Sequence, residues 1–459
     1  MEISDYSVGL DIGTTKIVAI VGKKNTNGKI EIMGMGRAKS LGVHKGIVNN
    51  IAQTINSIQS AVSQAEKSSG VKIDKVTVGI AGKHIRSLQH SDYIMREHPE
   101  KIITEEDVEQ LKDQVKKLVM LPGEQIIHVL PQEYKVDSEG EIQEPIGMHG
   151  KRLEANFHVV VGQMSSIRNI IRCVKEAGLE MEALTLEPLA SAESVLTKEE
   201  KEAGVAIIDI GGGTTDIAIF KNNIIRHTCV IPYGGGIITD DIKEGCSIIE
   251  NHAEKLKVKF GSAIPELEKE STFITIPGLH GRPDKEISLR TLAQIINARV
   301  EEILEMANNE LKAYGAYEQK KKLIAGIVLT GGGSNLKNLR QLSNYITGFD
   351  ARIGYANEFV ANDKNQYLKS PEFATSIGLL MESLSVREHK KQESTEAVEA
   401  NKKLVEFSAE AQANGASQEI EANSNEEVKQ PEVEPKKKTK LTISQIIMNR
   451  VREFFEEKE

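Results

Sequence analysis

Two short stretches carry the residue types that phosphate chemistry needs. Val8-Gly-Leu-Asp-Ile-Gly-Thr-Thr-Lys-Ile-Val-Ala-Ile20 is echoed by Ile207-Ile-Asp-Ile-Gly-Gly-Gly-Thr-Thr-Asp-Ile-Ala-Ile219. In each copy an apolar run ends in an aspartate, Asp11 or Asp209, and a Gly/Thr turn leads into a second apolar run. A carboxylate closing a buried strand is costly unless a cation or a donor meets it. Gly13 and the run Gly211, Gly212 and Gly213 allow close backbone approach and point N–H groups at a ligand. Thr14, Thr15, Thr214 and Thr215 add hydroxyls, and Lys16 adds a positive charge. Two such hairpins face to face hold a polyphosphate between them, with Asp11 and Asp209 reaching Mg²⁺ through water. The turn runs into a strand, so it is neither the helix-capping P-loop nor the dinucleotide fingerprint. One Gly/Thr turn is an ordinary hairpin feature; the repeat about 200 residues apart makes it a pair of similar lobes.

Two further glycine clusters extend the set. Ile327-Val-Leu-Thr-Gly-Gly-Gly-Ser-Asn335 is an apolar strand entering a flat glycine surface suited to a purine, with Gly332, Gly333 and Asn335 at the contact. Gly234, Gly235 and Gly236 precede a helix carrying Glu254 and Lys257 three residues apart, on one face. That pair can bond ribose hydroxyls or be a surface ion pair.

These groups need a scaffold. Strand patterns fall at 6–12, 16–22, 30–38, 75–81, 157–162, 205–210, 216–220, 224–230 and 325–330. Helical patterns fall at 49–67, 104–118, 165–177, 187–197, 238–259, 289–313 and 336–345. The interleaving predicts an α/β fold with mixed sheets covered by helices. At 459 residues several domains are expected. The absence of Trp, the 4% aromatic content and the net charge of −9 exclude a base-stacking nucleic-acid binder. Cys173, Cys229 and Cys246 share no metal spacing and read as buried reduced thiols. The start is acidic, and no run reaches the ~18 apolar residues of a membrane span. A cytoplasmic protein with at most peripheral membrane contact is expected.

The order of the pieces resembles the superfamily of actin, the DnaK-type chaperones and the sugar kinases. That order is first hairpin, connector 187–193, second hairpin, purine loop and second connector 374–380, and it covers about residues 5–385. The resemblance implies two lobes around an ATP cleft. Actin and the chaperones carry a subdomain between the third strand and the first helix; here that interval, 38–49, is too short. An insertion lies instead between 75–81 and 157–162, opening with Ala81-Gly-Lys-His-Ile-Arg86. This relocated small subdomain (type 1C) is similar to that of the bacterial division family FtsA and its pilus relative PilM. The expected division is 1–82, 163–204 and 360–385 for lobe I and 83–162 for the insertion. The lobe II core takes 205–245 and 315–359, and its small subdomain takes 246–314.

Composition changes after Leu384. Residues 386–440 are rich in Glu, Lys, Gln, Ala, Asn and Ser and predict a disordered linker spanning roughly 40 Å. Residues 441–459 follow a lysine cluster and read as an amphipathic helix. Thr442 is its N-cap, with Gln445 at the capping-box spacing. Ile443, Ile446, Ile447, Val451, Phe454 and Phe455 share one arc, Arg450 sits at its edge and Arg452 lies opposite. Such a helix after basic residues suits an anionic bilayer surface; docking on the protein's own core or on a partner are the other uses.

The resemblance to FtsA implies self-polymerisation, other division proteins as partners and the C-terminal tail of the tubulin-like FtsZ as a ligand. The helix at 289–313 offers Arg290, Asn297 and Arg299 to an acidic tail. Hydrolysis in the superfamily needs a water-positioning residue after the strand at 157–162, and Gln163 is the candidate there. ATP binding with slow hydrolysis at most is expected. The function implied is a membrane adaptor for FtsZ filaments at the septum; a PilM-like pilus scaffold and a sugar-kinase-like phosphotransferase are the alternatives.

Overall fold

The computed structural model describes residues 6–278, 283–356, 360–361 and 370–388, all within one compact unit, Met1–Gln392. The expected linker at 386–440 and the expected terminal helix at 441–459 lie almost entirely outside the described residues. Among the described residues no helix is long and apolar enough to cross a membrane.

Lobe I begins with the antiparallel run β1 (Ser7–Ile12), β2 (Lys16–Lys24) and β3 (Ile30–Lys39). A small hairpin, β4 (Val43–His44) and β5 (Ile47–Val48), precedes α1 (Ile51–Ser69). Asn50 caps α1 by accepting from the Gln53 amide, and Gly70 ends it in the left-handed conformation. Ile58, Ala61 and Ala65 of this helix are fully buried against the sheet. Then β6 (Lys75–Ile80) returns parallel to β1.

The insertion is a four-stranded sheet with one helix. It comprises β7 (Ile85–Met95), α2 (Glu105–Lys116), β8 (Glu124–Val136), β9 (Glu139–Ile142) and β10 (Arg152–Gln163), in the order β7-β10-β8-β9. Lobe I resumes with α3 (Met164–Glu176) and β11 (Glu180–Leu186), which pairs parallel with β6. The strand expected at 157–162 is therefore part of the inserted sheet, and β11 is the strand that extends lobe I. Two helices follow, α4 (Glu187–Val195) and α5 (Lys198–Ala203).

Lobe II repeats the plan with β12 (Val205–Ile210), β13 (Thr215–Lys221) and β14 (Ile224–Ile231). The pattern expected as one helix at 238–259 forms two, α6 (Gly235–Gly245) and α7 (Glu250–Phe260), broken where Ser247 takes a positive φ. A two-stranded ribbon, β15 (Phe273–Ile276) and β16 (Lys285–Ser288), leads to α8 (Leu289–Tyr314). Then come β17 (Ile327–Thr330), α9 (Leu339–Thr347) and β18 (Ala351–Ile353). The sheet orders β11-β6-β1-β2-β3 and β18-β17-β12-β13-β14 are the same topology twice, each with parallel strands on one side of an antiparallel run. A last helix, α10 at 374–388, packs between the lobes. It crosses α4 so closely that a Cβ on Gly378 would stand 1.8 Å from the Ala190 carbonyl oxygen.

The inserted sheet also rests on lobe II. His158 and the Thr228 hydroxyl share a hydrogen bond of 2.8 Å, and Gln132 donates to the Ile225 carbonyl at 2.6 Å. Ser87 donates to the Thr228 carbonyl, and Arg226 pairs with Glu133 at 2.6 Å. The insertion thus joins lobe I covalently and lobe II through β14.

A cleft between two phosphate hairpins

The two Gly/Thr turns face each other across a cleft of about 1360 Å³. A Cβ on Gly212 would meet Thr15 Cγ2 at 2.3 Å, and one on Gly213 would meet Thr14 Oγ1 at 2.4 Å. Only glycine permits this approach. The second turn is held open by its own backbone: the Gly211 amide donates to the Thr214 carbonyl, and the Gly235 and Gly236 amides donate to Gly211 and Gly212. The β4–β5 hairpin covers the first turn, with the Gly46 amide donating to Thr14 Oγ1 at 3.1 Å. Its Lys45 extends over the Tyr233 ring.

Among the carboxyl groups lining this cleft, Asp11, Glu187, Asp209 and Asp216 act on one another. Burial pushes Asp11 up to about 6, against the pull of Lys16 and the Ser376 hydroxyl. It pushes Asp216 up to about 8, with Asp209 adding repulsion. Asp209 is also raised by burial, although Ser191 and Thr375 donate to its Oδ2 at 2.6 and 3.0 Å. Glu187 is held well above the usual range by burial and then by Asp11, Asp216 and Asp209. Asp216 Oδ1 is buried without a hydrogen-bond partner. Lys16 faces this set, and a hydrated cation would offset the remaining negative charge. Among the described residues no three acidic, His or Cys side chains are grouped to hold a metal by themselves. That donor set fits Mg²⁺, which keeps several waters and takes one or two carboxylates together with phosphate oxygens.

The remaining residues divide between the cleft and its walls. Asp11, Gly13, Thr14, Thr15, Lys16, Asp209, Gly211, Gly212, Gly213, Thr214, Gly235, Gly236, Glu254, Lys257, Gly332, Gly333 and Asn335 all line it. Lys257 is tied to the Gly235 carbonyl and Glu254, each at 2.7 Å, so the pair belongs to the cleft and not to an outer surface. Gly331 has φ +81, and a Cβ there would stand 2.2 Å from Asp209 Oδ1, which ties the loop at Gly331, Gly332 and Gly333 to the second hairpin. Thr215 does not reach the cleft. It is fully buried and donates to the Tyr233 carbonyl, shaping the wall.

Gln163 stands elsewhere. It is exposed at the end of β10, pairs with Glu124 in the inserted sheet and does not line the cleft. The expectation failed because β11, not β10, is the lobe I strand, and the residue after β11 is Glu187. The signal for Glu187 was present: an apolar strand, an acidic residue, then a proline opening a helix. Of the three donors expected on α8, Asn297 donates to the Ala263 carbonyl and Arg299 is clamped by Asp241 at 2.6 and 3.1 Å. Arg290 pairs with Glu270 at the surface. The lobe II fold itself uses all three.

Comparison with known proteins agrees with this architecture. The family described as cell division protein FtsA matches residues 206–378, and the SHS2 domain inserted in FtsA matches residues 82–161. The chain is 39% identical to cell division protein FtsA of Pseudomonas aeruginosa over 378 residues, covering 82% of this chain and 89% of that one. It is 37% identical to that of Borreliella burgdorferi (82% and 90% covered) and 34% identical to that of Escherichia coli K12 (81% and 89% covered). Among solved structures it resembles the PilM–PilN type IV pilus biogenesis complex (TM-score 0.60, 15% identity, 82% and 98% covered). It also resembles MreB5 of Spiroplasma citri bound to ADP (TM-score 0.50, 15% identity, 86% and 99% covered). At that identity these two show the fold alone, a two-lobed actin-like ATPase fold. With relatives above 30% identity along nearly their whole length, and with the insertion in the same place, the chain belongs to the FtsA family of cell division proteins.

Proposed function

We propose that this protein is a nucleotide-operated adaptor that polymerises and ties FtsZ filaments to the cytoplasmic membrane at the division septum. The observation that carries the nucleotide half is the meeting of the two Gly/Thr hairpins over the buried Asp11, Asp209 and Asp216 and the half-buried Glu187. ATP would lie with its phosphates between Thr14–Lys16 and Gly211–Thr214, its ribose at Glu254 and Lys257, and its purine on Gly332 and Gly333. Mg²⁺ would be held through water by Asp11 and Asp209 and would neutralise phosphate charge. Glu187, which lines the cleft beside Asp11 and Asp209, would orient a water at the phosphate end, and its raised affinity for a proton suits slow hydrolysis. ADP bound to the MreB5 relative supports the choice of nucleotide.

The membrane half rests on sequence. The sequence of residues 441–459 has the pattern of a basic-flanked amphipathic helix; one such helix would bind weakly, so assembly of the heads would supply avidity. The test is co-sedimentation with phosphatidylglycerol-containing vesicles, with and without ATP and Mg²⁺. The intact chain should pellet, more sharply with ATP, while Ile447→Glu with Phe454→Glu stays in solution. Equal pelleting of both would remove the terminal segment as the anchor.

A further inference from the structure

Lys16 is held from across the cleft. Its Nζ donates to the Glu372 main-chain oxygen at 2.7 Å and to Glu372 Oε2 at 2.9 Å, and it stands over the Phe373 ring. Arg37, on the neighbouring strand β3, reaches the same Oε2 at 3.5 Å. The side chains of Lys16 and Glu372 are only 15% and 23% exposed, so this is not a screened surface pair. Glu372 is fixed to the purine loop as well. The carbonyl of its neighbour Pro371 accepts from the Gly331 amide at 3.2 Å and from the Thr330 hydroxyl at 3.3 Å. A few residues on, Thr375 and Ser376 donate to Asp209 and Asp11.

A lysine ammonium is a compact charge that binds phosphate and carboxylate oxygens alike. We infer that Glu372 is a built-in competitor for Lys16 and thereby sets the affinity of the cleft for nucleotide phosphates. This rests on the reading of the cleft as an ATP site. An incoming phosphate either takes Lys16 and Arg37 from Glu372 or shares them with a carboxylate at close range. Both routes cost affinity, and only ligands bearing phosphate meet the cost. Adenosine, which does not reach Lys16, is indifferent to Glu372.

The test is isothermal titration of the full chain and of Glu372→Gln with ATP and with adenosine, in Mg²⁺. The variant should bind ATP on the order of tenfold more tightly, the size of one charged hydrogen bond. Its adenosine affinity should not change, and the gain should vanish in a background carrying Lys16→Met and Arg37→Met. Should Glu372→Gln not fold, Glu372→Asp keeps the charge, shortens the reach and should give a smaller gain of the same sign. Equal or weaker ATP binding by the folded variant, or a gain that persists without Lys16 and Arg37, overturns the inference and leaves the ATP site standing. No ATP binding by the unaltered chain overturns the site reading and the inference with it.

Discussion

The two phosphate hairpins share a backbone plan and part company where the chain leaves the turn. After Asp11-Ile-Gly-Thr-Thr comes Lys16; after Asp209-Ile-Gly-Gly-Gly-Thr-Thr comes Asp216. Both residues begin or join the second strand of an antiparallel pair, and both line the cleft. Burial lowers the proton affinity of the Lys16 amine, with Glu372 holding the charge, and raises that of the Asp216 carboxyl to about 8. The duplicated fold therefore does not make a symmetric site. Lobe I supplies a cation of the cleft, Lys16. Lobe II supplies backbone amides and an extra carboxylate, and its two added glycines make room for Thr14 and Thr15.

Substitutions at these matched positions should act in opposite directions. Lys16→Met is expected to weaken ATP binding by about 10- to 100-fold, the loss of a charged contact in a partly dehydrated site, read by titration calorimetry. Asp216→Asn should act chiefly on stability. The folded carboxyl holds its proton to about pH 8, whereas the unfolded chain releases it near 3.9, so the native state binds more protons between those values. Stability therefore falls as pH rises through that window. The Asn variant should melt higher than the unaltered chain at pH 8 and about equally at pH 4. If Lys16→Met binds ATP normally, or the Asp216→Asn difference does not grow with pH, the two positions are not the charged counterparts described here.

A smaller effect should sharpen how the insertion is footed: on lobe I, where the Leu186 amide donates to His128 Nε2 at 3.0 Å, and on lobe II, where His158 meets Thr228. His158, bonded to Thr228, is lowered to about 4 by burial and then by neighbouring His227. The unfolded chain takes up this proton near pH 6.5, before the native state does, so stability is lost as pH falls from there and the loss levels off below about 4. His84 and His128 are lowered to about 4 by burial and add with the same sign. The melting temperature of His158→Gln relative to the unaltered chain should rise between pH 7 and pH 5. A constant difference would mean that His158 does not titrate with folding.

Much of this was legible in the sequence where local pattern and chemistry coincide. The hairpins, with Asp11 and Asp209 at strand ends, stand where the repeated motif put them, because apolar strand, acid and glycine turn are all local signals. The Gln163 expectation failed for a non-local reason: Gln163 ends β10, which pairs with β7 and β8 in the inserted sheet, away from the cleft. Pairing decides which strand faces the cleft, and pairing is not written in the periodicity of one strand. Glu372 was invisible for the same reason, since its partner Lys16 lies 356 residues away. The helix expected at 238–259 breaks at Ser247, a residue with no strong breaker signal.

The most direct test of the account is calorimetric titration of the full chain with ATP in Mg²⁺ and in excess EDTA, repeated for Asp11→Asn with Asp209→Asn. The account predicts that ATP binds the unaltered chain far more tightly with Mg²⁺ than without, and that this dependence collapses in the double variant. Binding that ignores Mg²⁺ in the unaltered chain, or an undiminished Mg²⁺ dependence in the variant, would contradict it.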